Sequence, residues 1–271
     1  MVLVTRSLVW LVVIVVGISL PLLTVAGLSF EDLVDQQFVI SVGASFAAAL
    51  LFNFLGQVTG LLGRGVLMGL ILGRYHRPRE EVRVFLLIDL RESTQIATRL
   101  GNLRYHAFFS RFISDVSASV VRYRGEVHRY VGDEVILTWT AQEGLADAAC
   151  VRSAFAISDT LEAAGPTYEA EFGVVPSFWA ALHLGPVVTG EIGTIKHEIA
   201  FLGDTLNTAS RIQEAGKELR RQIVASAAVI SALDLPNEIA SESRGPIELR
   251  GVDHTVELFH LTRVAARPQT V

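Results

Sequence analysis

Gly203-Asp204-Thr205-Leu206-Asn207-Thr208-Ala209-Ser210-Arg211 is the stretch around which the rest of the chain can be ordered. A glycine and an aspartate lead into helix-forming spacing, and Asp204 stands where an N-cap carboxylate belongs. Asn207 and Arg211 are four residues apart, so on a helix they share one face, with Cβ atoms about 5–6 Å apart. Far upstream, Asp89 ends the apolar run Val84-Phe85-Leu86-Leu87-Ile88, and Asp133 sits in the turn Gly132-Asp133-Glu134 between two further apolar runs. Two acidic groups at strand ends together with an Asn/Arg pair suit two-metal chemistry on a nucleoside triphosphate. Each residue also has a plainer role. Asp89 can cap the following helix, Gly132-Asp133 can be turn chemistry alone, and Arg211 can be a solvated charge on an amphipathic helix with Leu206, Ala209 and Ile212 buried.

Around these positions the pattern alternates strand and helix. Arg83–Leu90 reads as a buried strand, followed by helices over Thr94–Leu100 and Leu103–Tyr123. Glu126–Tyr130 and Val135–Thr140 form a hairpin about Gly132-Asp133. A helix over Leu145–Ala163 is expected to end at Ala164-Gly165-Pro166. Ser177–Leu184 and Val187–Ile192 read as a second hairpin about Gly185-Pro186. The Asn/Arg helix spans Asp204–Gly216. Gln222–Ala225, Ile247–Leu249 and Val256–Leu261 are late strands. Mixed order with hairpins predicts an α+β fold with helices on a largely antiparallel sheet.

These motifs resemble the catalytic domain of class III nucleotidyl cyclases, the adenylate and guanylate cyclases, over roughly residues 82–262. The resemblance implies a ferredoxin-like core. It also implies that Asp89 and Asp133 hold two Mg²⁺ or Mn²⁺ ions per active site. Asn207 would orient the ribose, and Arg211 would neutralise charge on the α-phosphate. Backbone amides of Leu90, Arg91, Ser93 and Thr94 would face the β- and γ-phosphates, although Glu92 and Ser93 stand where glycine and phenylalanine are common. The family's sites lie across a head-to-tail homodimer, so one chain alone would hold no complete site.

For the base, Arg129 takes the position of an adenylate cyclase lysine, four residues before the second metal aspartate. Ala200 takes the position of its partner carboxylate or threonine, with Lys196 and Glu198 nearby. No acidic side chain at position 129 reads guanine's donor edge, which favours ATP, with GTP the alternative. Arg250 corresponds to a late cation on the triphosphate, or to a strand-edge charge. His183, Trp139, Phe178 and Trp179 read as structural.

Composition places the rest. The chain has 271 residues, 51% of them hydrophobic, and a mean hydropathy of +0.43, too apolar for an ordinary soluble domain. The excess lies at the N-terminus. Residues 1–74 read as a membrane domain with two spans, about 7–28 and 38–58, and a juxtamembrane helix over Gly65–Gly73. Glu31, Asp32 and Asp35 lie between the spans, while Arg6 and Arg64, Arg74, Arg77 and Arg79 flank them, which predicts a cytoplasmic catalytic domain. Cleavage of the first span as a signal peptide is the rival reading. Residues 75–81 are a linker, 82–264 the catalytic domain and 265–271 a tail.

The single cysteine, Cys150, excludes intrachain disulfides and Cys-based zinc, and a net charge of −5 gives no nucleic-acid signature. The expected partners are ATP, membrane lipid and a second copy of the chain. A diguanylate cyclase would need a longer Gly-Gly-acidic-acidic-Phe turn than Val131-Gly132-Asp133-Glu134-Val135, and has no place for the Asn/Arg helix. The non-enzymatic alternative is a silent cyclase-like module that binds nucleotide and signals.

Overall fold

Strand β1, Arg79–Leu90, runs through the interior of the folded C-terminal part, and Val84 to Ile88 are buried without interruption. The computed structural model describes residues 36–62, 77–195, 197–251 and 255–264. The expected first span, the Gly65–Gly73 helix, Lys196 and the tail lie outside these residues. The chain divides into two units, residues 1–72 and 73–271.

In the first unit, helix α1 covers Gln36–Leu62. Its segment Ile40–Gly60, 21 residues, is long and apolar enough to cross a membrane. Two polar side chains on it bond to the helix itself, Asn53 Nδ2 to the Ala49 carbonyl at 2.8 Å and Thr59 Oγ1 to the Leu55 carbonyl at 2.7 Å. That satisfies polar groups a bilayer would leave without water.

In the second unit, β1 is followed by α2 (Ser93–Leu100), α3 (Asn102–Arg122), β2 (Glu126–Val131), β3 (Glu134–Thr140) and the short α4 (Ala141–Leu145). Then come α5 (Ala149–Phe172), β4 (Phe178–Ile192), β5 (Glu198–Leu202), α6 (Thr205–Glu218), β6 (Ile223–Ser226), α7 (Ala227–Ile230), β7 (Ile239–Glu248) and β8 (Thr255–Arg263). One sheet takes the order β2-β3-β1-β4-β6-β8-β7, with β5 paired to β4. The first four strands are antiparallel in the order 2-3-1-4, a ferredoxin-like arrangement, and β4 pairs parallel with β6, making the sheet mixed.

Alternation along β1 separates two cores. Val84, Leu86, Ile88 and Leu90 pack with Phe108, Phe112 and Val116 of α3 and with Val151, Ile157 and Leu161 of α5. Phe85 and Leu87 point the other way, toward Ala209 of α6. Asp89 shares the parity of Phe85 and Leu87, so the strand's pleat alone sends it to the α6 side.

Three boundaries differ from those read in the sequence. Helix α5 continues through Pro166 to Phe172. Its last turns bury Tyr168 and Phe172, whose rings meet Phe108 edge-on at 5.6 and 5.4 Å, and that burial outweighs one lost backbone bond. Gly185-Pro186 is no hairpin but the middle of the single strand β4. Between Leu182, the last partner of β6, and Val188, the first partner of β5, β4 has no paired neighbour on that side, so proline is tolerated there. The linker is also shorter than expected, because Arg79–Glu81 already pair with β4.

Candidate active site

Asp89 stands one residue from the end of β1, with Glu134 of β3 and Trp179 of β4 as its register partners. Directly paired residues point to the same face, so Asp89 and Glu134 meet there. Asp133 occupies the hairpin tip beside them. Gly132 supplies φ 62° at the first central position of that two-residue loop, and Leu90 N donates to the Asp133 carbonyl at 3.4 Å. Lys217, near the end of α6, closes the group with Nζ 2.6 Å from Asp89 Oδ2.

Electrostatics reports the same crowding. Burial raises the pKa of Asp89, Lys217 opposes the rise and Asp133 adds to it. Burial and then the Asp89 charge push Glu134 to about 7. Tyr105 of α3 is also raised, by burial and then by Asp133 and Asp89, which sets its phenol near the cluster. Asp89 caps no helix: position 92 precedes α2 and no side chain caps it.

Among the described residues no three His, Cys, Asp or Glu side chains form a ready-made metal cage. The donors that do converge are hard oxygens. Mg²⁺ beside a nucleotide is held by one or two carboxylates, with phosphates and water completing the shell, and Asp89 with Asp133 fits that pattern. The Lys217 ammonium is seated on Asp89, so that carboxylate carries a counter-charge within the chain.

The expected phosphate loop is partly committed elsewhere. Arg91 N donates to the Ser177 carbonyl at 2.8 Å, and Leu90 N to Asp133, so those two amides have partners within the chain. Ser93 and Thr94 open α2, where first-turn N–H groups lack intrahelical acceptors and suit an anion. Glu92 adopts φ 56°, ψ 25°, a left-handed conformation that glycine takes without strain. Its side chain is exposed. The Arg91 guanidinium lies 3.4 Å above the Trp179 ring, and Trp179 is half-buried.

Asn207 and Arg211 lie on the face of α6 opposite its buried residues Thr208, Ala209, Ile212 and Ala215. With Asp204, Ser210, Glu214, Arg250 and Gly251 they line an open cleft of about 400 Å³. Arg250 therefore sits beyond the end of β7 and beside the Asn/Arg pair. Glu214 holds Arg211 Nη1 through both carboxylate oxygens, at 2.7 and 2.9 Å. Asp204 holds the N-cap position of α6 but its carboxylate caps no backbone N–H, accepting instead from Thr208 Oγ1 at 3.1 Å. Neither Asp89 nor Asp133 lines this cleft.

A bulge positions Arg129. Val127 pairs with Leu137 and Arg129 with Ile136, leaving His128 as the extra residue. Strict alternation would send Arg129 to the side of Val127, toward the α3/α5 core. The bulge turns it to the side of Ile136, Phe85 and Leu87. There Arg129 Nη2 meets Glu198 Oε2 of β5 at 3.2 Å. His128 packs tilted against Phe201, ring centroids 4.6 Å apart, and burial, then Arg129 and Arg83, push its pKa down to about 4, so the ring is neutral at pH 7. Ala200, two residues beyond Glu198, is buried and offers only a methyl group. His183 is structural, with Nδ1 2.8 Å from Ser226 Oγ.

Three contributors went unseen in the sequence: Lys217, Glu134 and Glu214. Glu214 is three residues from Arg211 on the same helix face, a spacing that could have revealed it. Lys217 and Glu134 act through long-range contacts for which no local spacing gives a signal.

Fold and site together define an α+β domain that presents a carboxylate cluster at one place and an Asn/Arg/Arg cleft at another. Residues 76–263 match the family described as "Adenylate and Guanylate cyclase catalytic domain", and the chain belongs to that family. It is 39% identical over 209 residues to Adenylate cyclase 2 of Rhizobium meliloti (strain 1021), covering 77% of this chain and 58% of that protein. Adenylate cyclase 1 of the same organism is 27% identical, over 78% of this chain and 31% of the relative. Among solved structures, a bacterial light-regulated adenylyl cyclase matches 85% of this chain and 67% of its own, with TM-score 0.68 and 16% identity. The adenylyl cyclase CyaB from P. aeruginosa matches 70% of this chain and 98% of its own, with TM-score 0.60 and 17% identity.

Proposed function

We propose that the chain is a membrane-bound adenylate cyclase that converts ATP to 3′,5′-cyclic AMP and pyrophosphate at two composite sites of a head-to-tail homodimer. The observation that carries this reading is the separation of the two residue groups within one chain. Asn207, Arg211 and Arg250 line one cleft, and the carboxylates stand outside it. A second copy turned head to tail would bring its Asp89 and Asp133 to that cleft. The relative named Adenylate cyclase 2 supports ATP as substrate. The apolar segment Ile40–Gly60 supports the membrane assignment.

In the reaction the ribose 3′-oxygen bonds to the α-phosphorus. The bond from that phosphorus to the oxygen bridging toward the β-phosphate breaks, pyrophosphate leaves with the electron pair, and the hydroxyl proton passes to solvent. Asp89 and Asp133 would hold two Mg²⁺ or Mn²⁺ ions, which when bound neutralise phosphate charge and lower the pKa of the 3′-hydroxyl. Arg211 exchanges Glu214 for the α-phosphate oxygens, a task suited to a fixed, permanently charged fork. Asn207 orients the ribose through its amide, and Arg250 neutralises the outer phosphates. Arg129 donates to a purine ring acceptor, and Glu198 accepts from the exocyclic amino group. GTP as substrate has one observation in its favour: the same donor and acceptor also complement the carbonyl and N–H edge of guanine.

The test uses the full chain in detergent with ATP or GTP under Mg²⁺ and Mn²⁺, beside Asp89→Ala and Arg211→Ala, separately and mixed. Cyclic AMP from the wild type, lost in each variant and partly restored on mixing, is the expected result. Cyclic GMP in its place would reassign the base. Nucleotide binding without any product would make the domain a silent module. Recovery of the native chain in carbonate-washed membranes checks the anchor.

A further inference from the structure

Lys217 is six residues beyond Arg211 on α6, and the motif that identifies the helix does not include it. Its ammonium approaches Asp89 to 2.6 Å, at a carboxylate only 15% exposed. Its charge acts on Glu134 as well as on Asp89, so one ammonium faces both of these carboxylates. An ion pair that merely fastened α6 to the sheet would need no particular aspartate. This one uses the aspartate assigned above to a divalent cation, at the distance a direct hydrogen bond allows.

We propose that Lys217 is a positioning residue that occupies Asp89 as an internal counter-ion and competes with the divalent cation for it, so that metal loading releases the end of α6. This rests on the reading of Asp89 and Asp133 as metal holders. In the metal-free chain Lys217 keeps Asp89 oriented and compensated. On loading, the metal and the ammonium repel each other at one carboxylate, and the ammonium withdraws toward solvent, where its 35% exposure already places part of it. Since the same helix carries Asn207 and Arg211, which serve the other composite site, displacement at Lys217 is felt at both.

The experiment is a Mn²⁺ titration followed by electron paramagnetic resonance, on the full chain in detergent without nucleotide. It compares wild type, Lys217→Met, Lys217→Gln, Lys217→Arg and Asp89→Ala. The neutral variants are expected to bind Mn²⁺ about tenfold tighter than wild type, because a like charge beside the site is removed. Lys217→Arg stays within about twofold, since it keeps the charge. Added Mn²⁺ should also raise the melting temperature of Lys217→Met more than that of wild type, a response that a lost structural tether would not produce. Unchanged or weaker binding in both neutral variants, with Asp89→Ala still impaired, overturns the competition and leaves Lys217 a tether. Undiminished binding in Asp89→Ala overturns the metal assignment itself, and this proposal with it.

Discussion

Asp89 and Glu134 are direct register partners across β1 and β3, so two carboxyl groups share one spot on one face of the sheet. Burial and the Asp89 charge raise the pKa of Glu134 from 4.5 to about 7. The folded chain therefore holds this proton more tightly than the unfolded chain does. That contribution to stability is full below pH 4.5 and is lost as pH rises through about 7. In chelator, Glu134→Gln is expected to be more stable than wild type at pH 8 by about 1–2 kcal/mol, a figure already reduced for partial exposure. The advantage should shrink toward pH 4.5. Thermal denaturation at three pH values checks it, and an advantage that does not vary with pH would count against the assignment.

Arg211→Lys and Asn207→Ala test whether the cleft acts in the transition state. Both are expected to lower kcat by about 10²–10³ while KM changes far less, since the contacts strengthen as charge develops on the α-phosphate. Steady-state kinetics with ATP decides this. A rise in KM alone would assign both residues to ground-state binding.

Arg129 and Glu198 carry the expected base contacts. Arg129→Ala and Glu198→Ala should each lower kcat/KM for the preferred nucleotide by about tenfold or more, as loss of a hydrogen bond to the base does. Ala200→Gly should leave it nearly unchanged, because Ala200 has no polar atom in its side chain. Steady-state assays with each nucleotide measure it directly.

Gly185→Ala tests how β4 seats the start of α6. A Cβ there would come within 2.5 Å of Thr205 Oγ1 and 2.9 Å of its Cγ2. Thr205 is buried and donates to the Pro186 carbonyl at 2.6 Å, so it has little room to yield. The expected loss is about 1–3 kcal/mol of stability, with reduced turnover because Asn207 follows two residues later. Adding Thr205→Ala should recover part of the stability, which chemical denaturation would measure.

Most of this architecture was legible because its signals are local. The β1 run, the Gly132-Asp133 tip and the spacing of Asn207 and Arg211 each depend on neighbours in sequence. Pro166 and Pro186 misled for the same reason. The rule that proline ends an element weighs the local penalty, whereas α5 continues because distant Phe108 receives Tyr168 and Phe172. The five-residue strand β5 has no pattern strong enough to stand out locally, although Glu198 on it is legible in the sequence as a group near Arg129. Lys217 and Asp89 come together only once α6 has packed on the sheet, so no motif joins them.

With Arg129 assigned to the base as proposed, the bulge at His128 makes its recognition partly a matter of counting. One surplus residue decides which side of the sheet receives Arg129, and hence whether the nucleotide meets a guanidinium at all. Deleting one residue between Arg129 and Gly132 would instead let His128 pair with Ile136, restoring strict alternation and presenting the Arg129 side chain to the α3/α5 core, while the residues facing it kept their identity. Substrate choice in this chain is therefore open to change by insertion or deletion, a route that comparing aligned residues one column at a time would overlook.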